Sequence, residues 1–475
     1  MPFSKQFWRP WAAVALAVAG GAALGVAQAK AADYKSTKPE KAAKATAQPR
    51  KASASAAAQR SKPAKSAKSA NTTSKASAAA KVPKVSVQSD AEARLLKVIA
   101  LVQQQKLDDA LKAAASLTAD VPTFQAAQLV YADLLRYKTG KPGSMAAAPV
   151  SEAAAIRVKH TPVTTASAPI QAPEPDTLEQ LHSLQDEIKR RVQGANTLPA
   201  TGSIPAEFLA LAPNVRQAIA IDASKSRLYL FSNEGGKLRL TGDYYVTVGK
   251  LGMGKLEEGD QRTPQGIYFI GREIPGVKLP EFYGKGALTV NYPNDWDRAV
   301  GRSGSGIWLH GAPPDQFARL PQASDGCMVL SNADLIQLMR TVGRMTPVLV
   351  RERLQWQPAA DNTMARDRDA FMSVLGQWSQ AWSRADAPRL QQLYTADWRA
   401  SASGQSMQDR MGAAFKSGNA SLQDVSVYAW KDAQGEIRVA NFRVKSRDLP
   451  EPLPLRQYWR KQGAEWKLFS EDVQG

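Results

Sequence analysis

The chain has 475 residues, more than one small core uses, so roughly two to four domains are expected. Its formal net charge of +19 would ordinarily point to an anionic partner, but 14 basic against 2 acidic residues between Lys30 and Lys84 carry +12 of it, and the remainder is only mildly basic. A single cysteine, Cys327, excludes an intramolecular disulfide scaffold, and three histidines, His160, His182 and His310, leave no cysteine/histidine zinc site to expect.

Lys5 and Arg9 precede an apolar run from Trp11 to Ala27, and Ala27-Gln28-Ala29 supplies small residues where a signal peptidase cuts. Residues 1–29 therefore read as a secretory signal peptide, the alternative being an uncleaved membrane anchor. Residues 30–89 are nearly all Ala, Lys, Ser, Thr and Pro, with Tyr34 their only aromatic, so they cannot bury enough apolar surface to fold. This basic tail is either a tether to anionic cell-envelope polymers or a solubilising spacer. Interleaved aromatics for base stacking are missing, so no nucleic-acid partner is expected.

Ala93, Leu96, Ile99 and Leu107 begin a helical apolar pattern that Ala110, Leu111, Ala114 and Leu117 repeat, and Phe124, Leu129 and Leu135 continue it beyond Pro122. Residues 90–140 thus form a small helical hairpin module with the loose spacing of tetratricopeptide repeats. Residues 141–175 read as a linker. Leu178, Leu181, Leu184, Ile188 and Val192 give a further helix within 176–214, with Asp176 and Thr177 as cap candidates.

From Gln217 the period changes to that of strands: Ala218 to Asp222, Arg227 to Ser232 and Leu238 to Val248 are short β-branched or alternating runs separated by turns. Further strands are expected at Gly266 to Gly271, Gly306 to His310 and Thr346 to Arg351, with one helix from Asn332 to about Val342 capped by Ser331 or Asn332. Within this mostly-β region lie Gly259-Asp-Gln-Arg-Thr263-Pro264-Gln-Gly266, then Ile307-Trp-Leu-His310-Gly311, then Ser324-Asp-Gly-Cys327-Met-Val-Leu330. A neighbouring imidazole lowers a thiol's pKa and accepts its proton during attack, so His310 and Cys327 can form a nucleophilic pair if the chain folds back between them. Gly326 lets a carbonyl approach the sulfur, and the N–H groups of Gly326 and Cys327 are candidates for an oxyanion hole. Taken singly, Cys327 also reads as a structural cysteine and His310 as a satisfied strand-end histidine.

Together these motifs, in this order, resemble the L,D-transpeptidase (YkuD-type) catalytic family over about Val215 to Arg353. The resemblance implies that Cys327 is the nucleophile, His310 the general base and the Gly311 carbonyl the orienter of the imidazole, while Ser324 and Gly326 shape the turn. It implies a peptidoglycan stem peptide as substrate, a thioester formed with loss of terminal D-Ala, passage of the acyl group to an amine, and no metal or other cofactor. Asp325 stands where the family usually has histidine, and Val329 where arginine or asparagine is usual, which bears on acceptor choice. Arg298 and Arg302 are candidates for binding a substrate carboxylate or else ordinary surface charge, and Asp325 joins them as a substrate-side candidate. A hydrolase on the same scaffold and a non-catalytic wall-binding protein are the alternative readings.

The last stretch, 366–475, looks independent. Phe371, Val374, Leu375, Trp378 and Trp382 define an amphipathic helix, Leu390, Leu393 and Tyr394 a second, and strands follow at Val425 to Trp430, Ile437 to Val444, Leu455 to Trp459 and Trp466 to Phe469. The pattern resembles cystatin-like, nuclear-transport-factor-like domains, with a further partner of its own left open. The expected fold class is a multidomain chain: a mostly-β catalytic domain at 215–353, a small α-helical module before it and an α+β cone-like domain after it.

Overall fold

The computed structural model describes residues 86–87, 90–139, 175–416 and 418–474. The signal-peptide segment, the basic tail up to residue 85 and nearly all of the 141–175 linker lie outside them. One expectation is corrected at the tail's end: Ser86–Val87 (β1) is not structureless but pairs in parallel with residues 242–243 of a later strand, using main-chain groups that an edge strand offers.

Three helices follow, Asp90–Gln103 (α1), Leu107–Asp120 (α2) and Gln125–Thr139 (α3), joined by Pro175–Asn196 (α4). The last begins at Pro175, ahead of the expected caps Asp176 and Thr177, because proline is pre-set for the first helical position. Leu95, Leu117, Phe124, Ala127 and Ile188 form one shared core. A buried ion network ties this module to the neighbouring sheet. Glu92 receives Arg227 (2.8 Å) and Arg191 (3.0 Å), Arg227 also reaches Asp243 (2.6 Å), and Arg191 reaches Glu187 (2.8 Å). Burial alone would raise the Glu92 carboxyl, but the two guanidinium groups outweigh it and hold it below its ordinary value.

The central strands are Ser203–Pro205 (β2), Phe208–Ala210 (β3), Gln217–Asp222 (β4), Arg227–Glu234 (β5), Lys237–Tyr245 (β6), Val248–Gly249 (β7), Gly266–Pro275 (β8) and Gly286–Val290 (β9). After the short helix Asp295–Ala299 (α5) come Trp308–Gly311 (β10), Gln322–Ser324 (β11), Met328–Leu330 (β12), Asn332–Thr341 (α6), Pro347–Arg351 (β13) and Trp356–Pro358 (β14). Eight of them and β1 make one nine-stranded sheet in the order β1-β6-β5-β4-β13-β8-β9-β10-β12. The sheet curls: Thr247, just past β6, exchanges main-chain hydrogen bonds with Val329 of β12 at the opposite end (2.9 and 3.0 Å). Alternation along β4 explains why both faces are buried. Ile219 and Ile221 enter the inner core with Leu228, Leu309, Met328 and Leu335, whereas Ala218 and Ala220 join the outer core. Ser331 caps α6, as expected, by accepting from the Asp334 N–H at 3.2 Å.

The final region holds Asn362–Ser383 (α7), Ala387–Leu393 (α8), Ala396–Ala400 (α9) and Ala402–Phe415 (α10), then the antiparallel meander Ser421–Asp432 (β15), Gly435–Lys445 (β16), Leu453–Gln462 (β17) and Glu465–Val473 (β18). It is not independent, contrary to expectation. β3, far upstream, adds a fifth strand beside β15, and Phe208, Phe231 and Phe269 share one core with Phe371, Trp378, Tyr428 and Trp459. Substantial apolar surface on the outer face of the nine-stranded sheet requires this cover.

Two predictions follow from the buried charges. Replacing Arg227 by Met leaves Asp243 without its partner and Glu92 with Arg191 alone, and is expected to cost roughly 3–5 kcal/mol of stability in urea unfolding, whereas a loss below about 1 kcal/mol would show that the network does not hold the module. In the C-terminal region Glu471 is buried, with Gln457 (2.6 Å) and Tyr394 (3.1 Å) donating to its two oxygens, and burial pushes its carboxyl up to about 7. The unfolded chain gives up that proton near 4.5, so stability falls as pH rises between the two values. The melting-temperature advantage of wild type over Glu471→Gln should therefore shrink from pH 5 to pH 8, by the equivalent of about 3 kcal/mol; parallel curves would refute the assignment.

Candidate active site

β10 and β12 run in parallel, with His310 opposite Val329. Cys327 immediately precedes β12, two residues before Val329. Because strand side chains alternate, Cys327 and His310 belong to the same face of adjacent strands. The chain between them folds back, with β11 pairing with β7 and the Val248 N–H donating to the Pro321 carbonyl (3.0 Å).

The turn before the thiol is fixed by two hydroxyls. Ser324 Oγ donates to the Cys327 carbonyl (2.6 Å) and accepts from the Gly326 N–H (3.2 Å). Thr263 Oγ1, fully buried, donates to the Gly326 carbonyl (2.9 Å) and accepts from the Gly249 N–H (2.9 Å), which is why the Thr-Pro segment and the Cys turn occur together. Gly326 has φ +120°, and a Cβ there would lie 2.7 Å from the Arg262 carbonyl oxygen, so only glycine fits. Its N–H, one of the two oxyanion candidates, is thus engaged by Ser324, and the Cys327 N–H is the other.

His310 is buried, and its Nδ1 lies 2.7 Å from the Gly311 carbonyl oxygen. A carbonyl only accepts, so Nδ1 carries the proton and Nε2 presents its lone pair. Burial, aided by the positive charge of Arg319 and opposed by that Gly311 bond, lowers the imidazole to about 4. The Cys327 thiol moves the other way. Burial raises it above its ordinary value, against a backbone hydrogen bond from Trp308, and Asp325 raises it further. The resting pair is therefore neutral thiol and neutral imidazole, which corrects the expectation that the imidazole lowers the resting thiol pKa. The thiol lies 3.4 Å from the Gly306 carbonyl oxygen, to which it donates.

The residues expected on the substrate side disperse. Arg298 is exposed and holds Asp295 (2.7 Å), while Arg302 is bound between Asp297 (3.0 Å) and Asp432 (2.9 Å) and bridges to the C-terminal meander. Both guanidinium groups hold a carboxylate in this structure, Arg298 at the surface and Arg302 largely buried. Asp325 is exposed, two residues before the thiol in sequence, and pairs with Lys250 (3.0 Å).

Other groups surround the pair instead. The Tyr283 ring lies 5.0 Å from His310 and 5.2 Å from Trp308, and the Phe282 ring 5.9 Å from His310. Arg319 stacks over Phe282 at 4.1 Å. Asn332 fastens this aromatic segment to β10, accepting from the Lys285 N–H (2.8 Å) and donating to the Ala312 carbonyl (2.8 Å). A Cβ at Gly311 would stand 2.2 Å from Asn332 Oδ1, so the glycine of the His-Gly pair also makes room for this clasp. The Glu281-Phe-Tyr-Gly run and an arginine between the histidine and cysteine motifs were the available signals for these residues.

The family model for the L,D-transpeptidase catalytic domain (YkuD) matches residues 216–350. Among curated proteins, the putative L,D-transpeptidase YafK of Escherichia coli K12 is 27% identical over 125 residues, 26% of this chain and 46% of that protein. The match thus spans about half the length of that relative. Bd1075 of Bdellovibrio bacteriovorus aligns over 57% of this chain and 98% of its own, with 25% identity and a TM-score of 0.47. The helical cell shape determining protein Pgp2 of Campylobacter jejuni aligns over 56% and 95%, with 20% identity and a TM-score of 0.43. Residues 216–350 of this chain belong to the YkuD family of L,D-transpeptidase catalytic domains.

Proposed function

We propose that the chain is an exported, cysteine-dependent L,D-transpeptidase acting on peptidoglycan stem peptides, with Cys327 as nucleophile and His310 as general base. The observation that supports this most directly is the register of β10 against β12, together with the Nδ1 bond to Gly311 that leaves Nε2 as an acceptor. Export accords with a substrate outside the cytoplasm and with the basic, then apolar, opening of the sequence.

The reaction begins as Sγ attacks the carbonyl at the L-centre of diaminopimelate while His310 Nε2 takes the thiol proton. The carbonyl electrons move to oxygen, where the Cys327 N–H is the candidate donor. Collapse of the intermediate breaks the C–N bond, His310 returns the proton to the departing amine, and D-Ala leaves a thioester on Cys327. An acceptor amine then attacks the thioester and gives its proton to His310. The new amide forms as the C–S bond breaks, and the thiol is restored. Because the resting pair is neutral, proton transfer accompanies attack rather than preceding it.

Incubation of the full chain with tetrapeptide muropeptides should yield cross-linked dimers by mass spectrometry, and Cys327→Ala or His310→Ala should reduce turnover by at least about a thousandfold. Tripeptide alone, formed with acceptor amine present, would move the assignment to hydrolysis; no product at all would leave a wall-binding protein.

The neutral pair has its own signature. Iodoacetamide alkylation of Cys327 in the free protein should titrate with a midpoint above the ordinary thiol value, and His310→Ala should shift it little. For turnover, kcat/KM should fall on acidification only as the imidazole protonates, near about 4, and stay flat across neutral pH. An alkylation midpoint below that of a free thiol, rising in His310→Ala, would indicate a resting thiolate–imidazolium pair instead.

A further inference from the structure

We propose that Arg319 is a specificity residue that binds the carboxylate of the leaving residue, so that the enzyme selects donors with a free C-terminus; this rests on the peptide-acyl-transfer reading above.

Arg319 lies in the segment between the histidine and cysteine motifs, and its position is fixed by the main chain. Its carbonyl accepts hydrogen bonds from Tyr245 OH and from Thr247 Oγ1, each at 3.0 Å. Its side chain is partly buried, with the guanidinium over the Phe282 ring at 4.1 Å, and the same ring lies 5.9 Å from His310. Its positive charge disfavours the protonated His310 ring and favours the Cys327 thiolate.

The guanidinium is also uncommitted. Arg191, Arg227, Arg302 and Arg351 each hold a carboxylate within salt-bridge distance, whereas among the described residues the Arg319 side chain makes no hydrogen bond or ion pair. The acidic groups on its side are Asp325, which Lys250 already holds, and Asp315, which is exposed. A partly desolvated guanidinium stacked on an aromatic face leaves its N–H edge available, and that edge matches a carboxylate in bidentate fashion. In a terminal residue the carboxylate carbon is three bonds from the scissile carbonyl carbon, so a cation that recognises it has to lie close to the catalytic pair, and Arg319 is one aromatic ring away from His310. An amide or a further peptide residue at that point would leave the cation without an anion.

The test compares a stem tetrapeptide ending in free D-Ala with the same peptide as its C-terminal carboxamide, using the full chain. Wild type should favour the acid by roughly 10- to 100-fold in kcat/KM, as a charge-assisted bidentate pair allows. In Arg319→Gln the ratio should collapse toward one, and Arg319→Lys should recover part of it as a point charge. A purely structural role would instead lower both donors in step and leave the ratio unchanged, which would overturn the proposal. Iodoacetamide alkylation of Cys327 in each variant checks that the site is folded. Calorimetric binding of both peptides to Cys327→Ala, with and without Arg319→Gln, reads the pairing apart from turnover. Acid-selective binding that disappears with Arg319→Gln supports the pairing even if wild type proves inactive, an outcome that would count against the transpeptidase reading alone; binding that is indifferent to the carboxylate, or no binding of either peptide, overturns the proposal.

Discussion

The parallel pairing of β10 with β12 is the contact on which the site depends, because it alone brings residues from two distant motifs to one face of the sheet. It works only if the chain can enter β12 through a tight turn under the Thr263 hydroxyl. That explains three sequence features at once: a glycine at 326 for its φ and for its closeness to the Arg262 carbonyl, a serine at 324 to tie the turn to Cys327, and a threonine at 263 to hold the turn from below. A Cβ at Gly326 would press on main chain rather than on a flexible side chain, so relaxation would have to move the turn and the thiol with it.

The modules around the catalytic sheet act on the same loop. Arg191, held in the buried ion network, stacks on the Tyr245 ring at 3.7 Å, and Tyr245 OH donates to the Arg319 carbonyl. From the helical side, Phe124 meets Phe317 at 4.2 Å and the Phe317 N–H donates to the Thr123 carbonyl (3.2 Å). The helical module therefore buttresses the segment that carries Arg319. On the other face of the sheet, Trp296 and Arg302 both reach Asp432 at the tip of the β15–β16 hairpin, which binds the C-terminal meander to the chain between β9 and β10.

The features legible in the sequence were those with local causes. Alternation of β-branched residues marked β4, β5 and β13, the serine before Asn332 marked the start of α6, and the Thr-Pro, His-Gly and Ser-x-Gly-Cys runs marked the strand ends that meet. What could not be read was set by distant packing. Arg302 and Arg319 are alike in sequence, yet Asp432 occupies one while the other stacks on Phe282, and only the fold decides which is free. The same applies to Phe208–Ala210, too short to register as a strand until β15 supplies its partner, and to α9 and α10, whose weak amphipathic pattern is completed by the core around Trp378 and Phe415.

Burial at the site has opposing consequences that the charges around it adjust. Burial favours the neutral thiol and the neutral imidazole, so in the proposed reaction the proton would have to move uphill during attack. The charge of Arg319 assists the sulfur by favouring thiolate and hinders the imidazole by disfavouring its protonated form. A carboxylate paired with Arg319 would cancel most of that field at both atoms. The imidazole would then become a better base, and the thiolate would lose some stabilisation at the same moment. On the proposed mechanism the gain at His310 would favour reaction more directly, since there His310 also protonates the departing amine and has to hold the proton until the C–N bond breaks. Donor recognition and base strength would thus be joined through one guanidinium, without any movement of the strands that hold the pair.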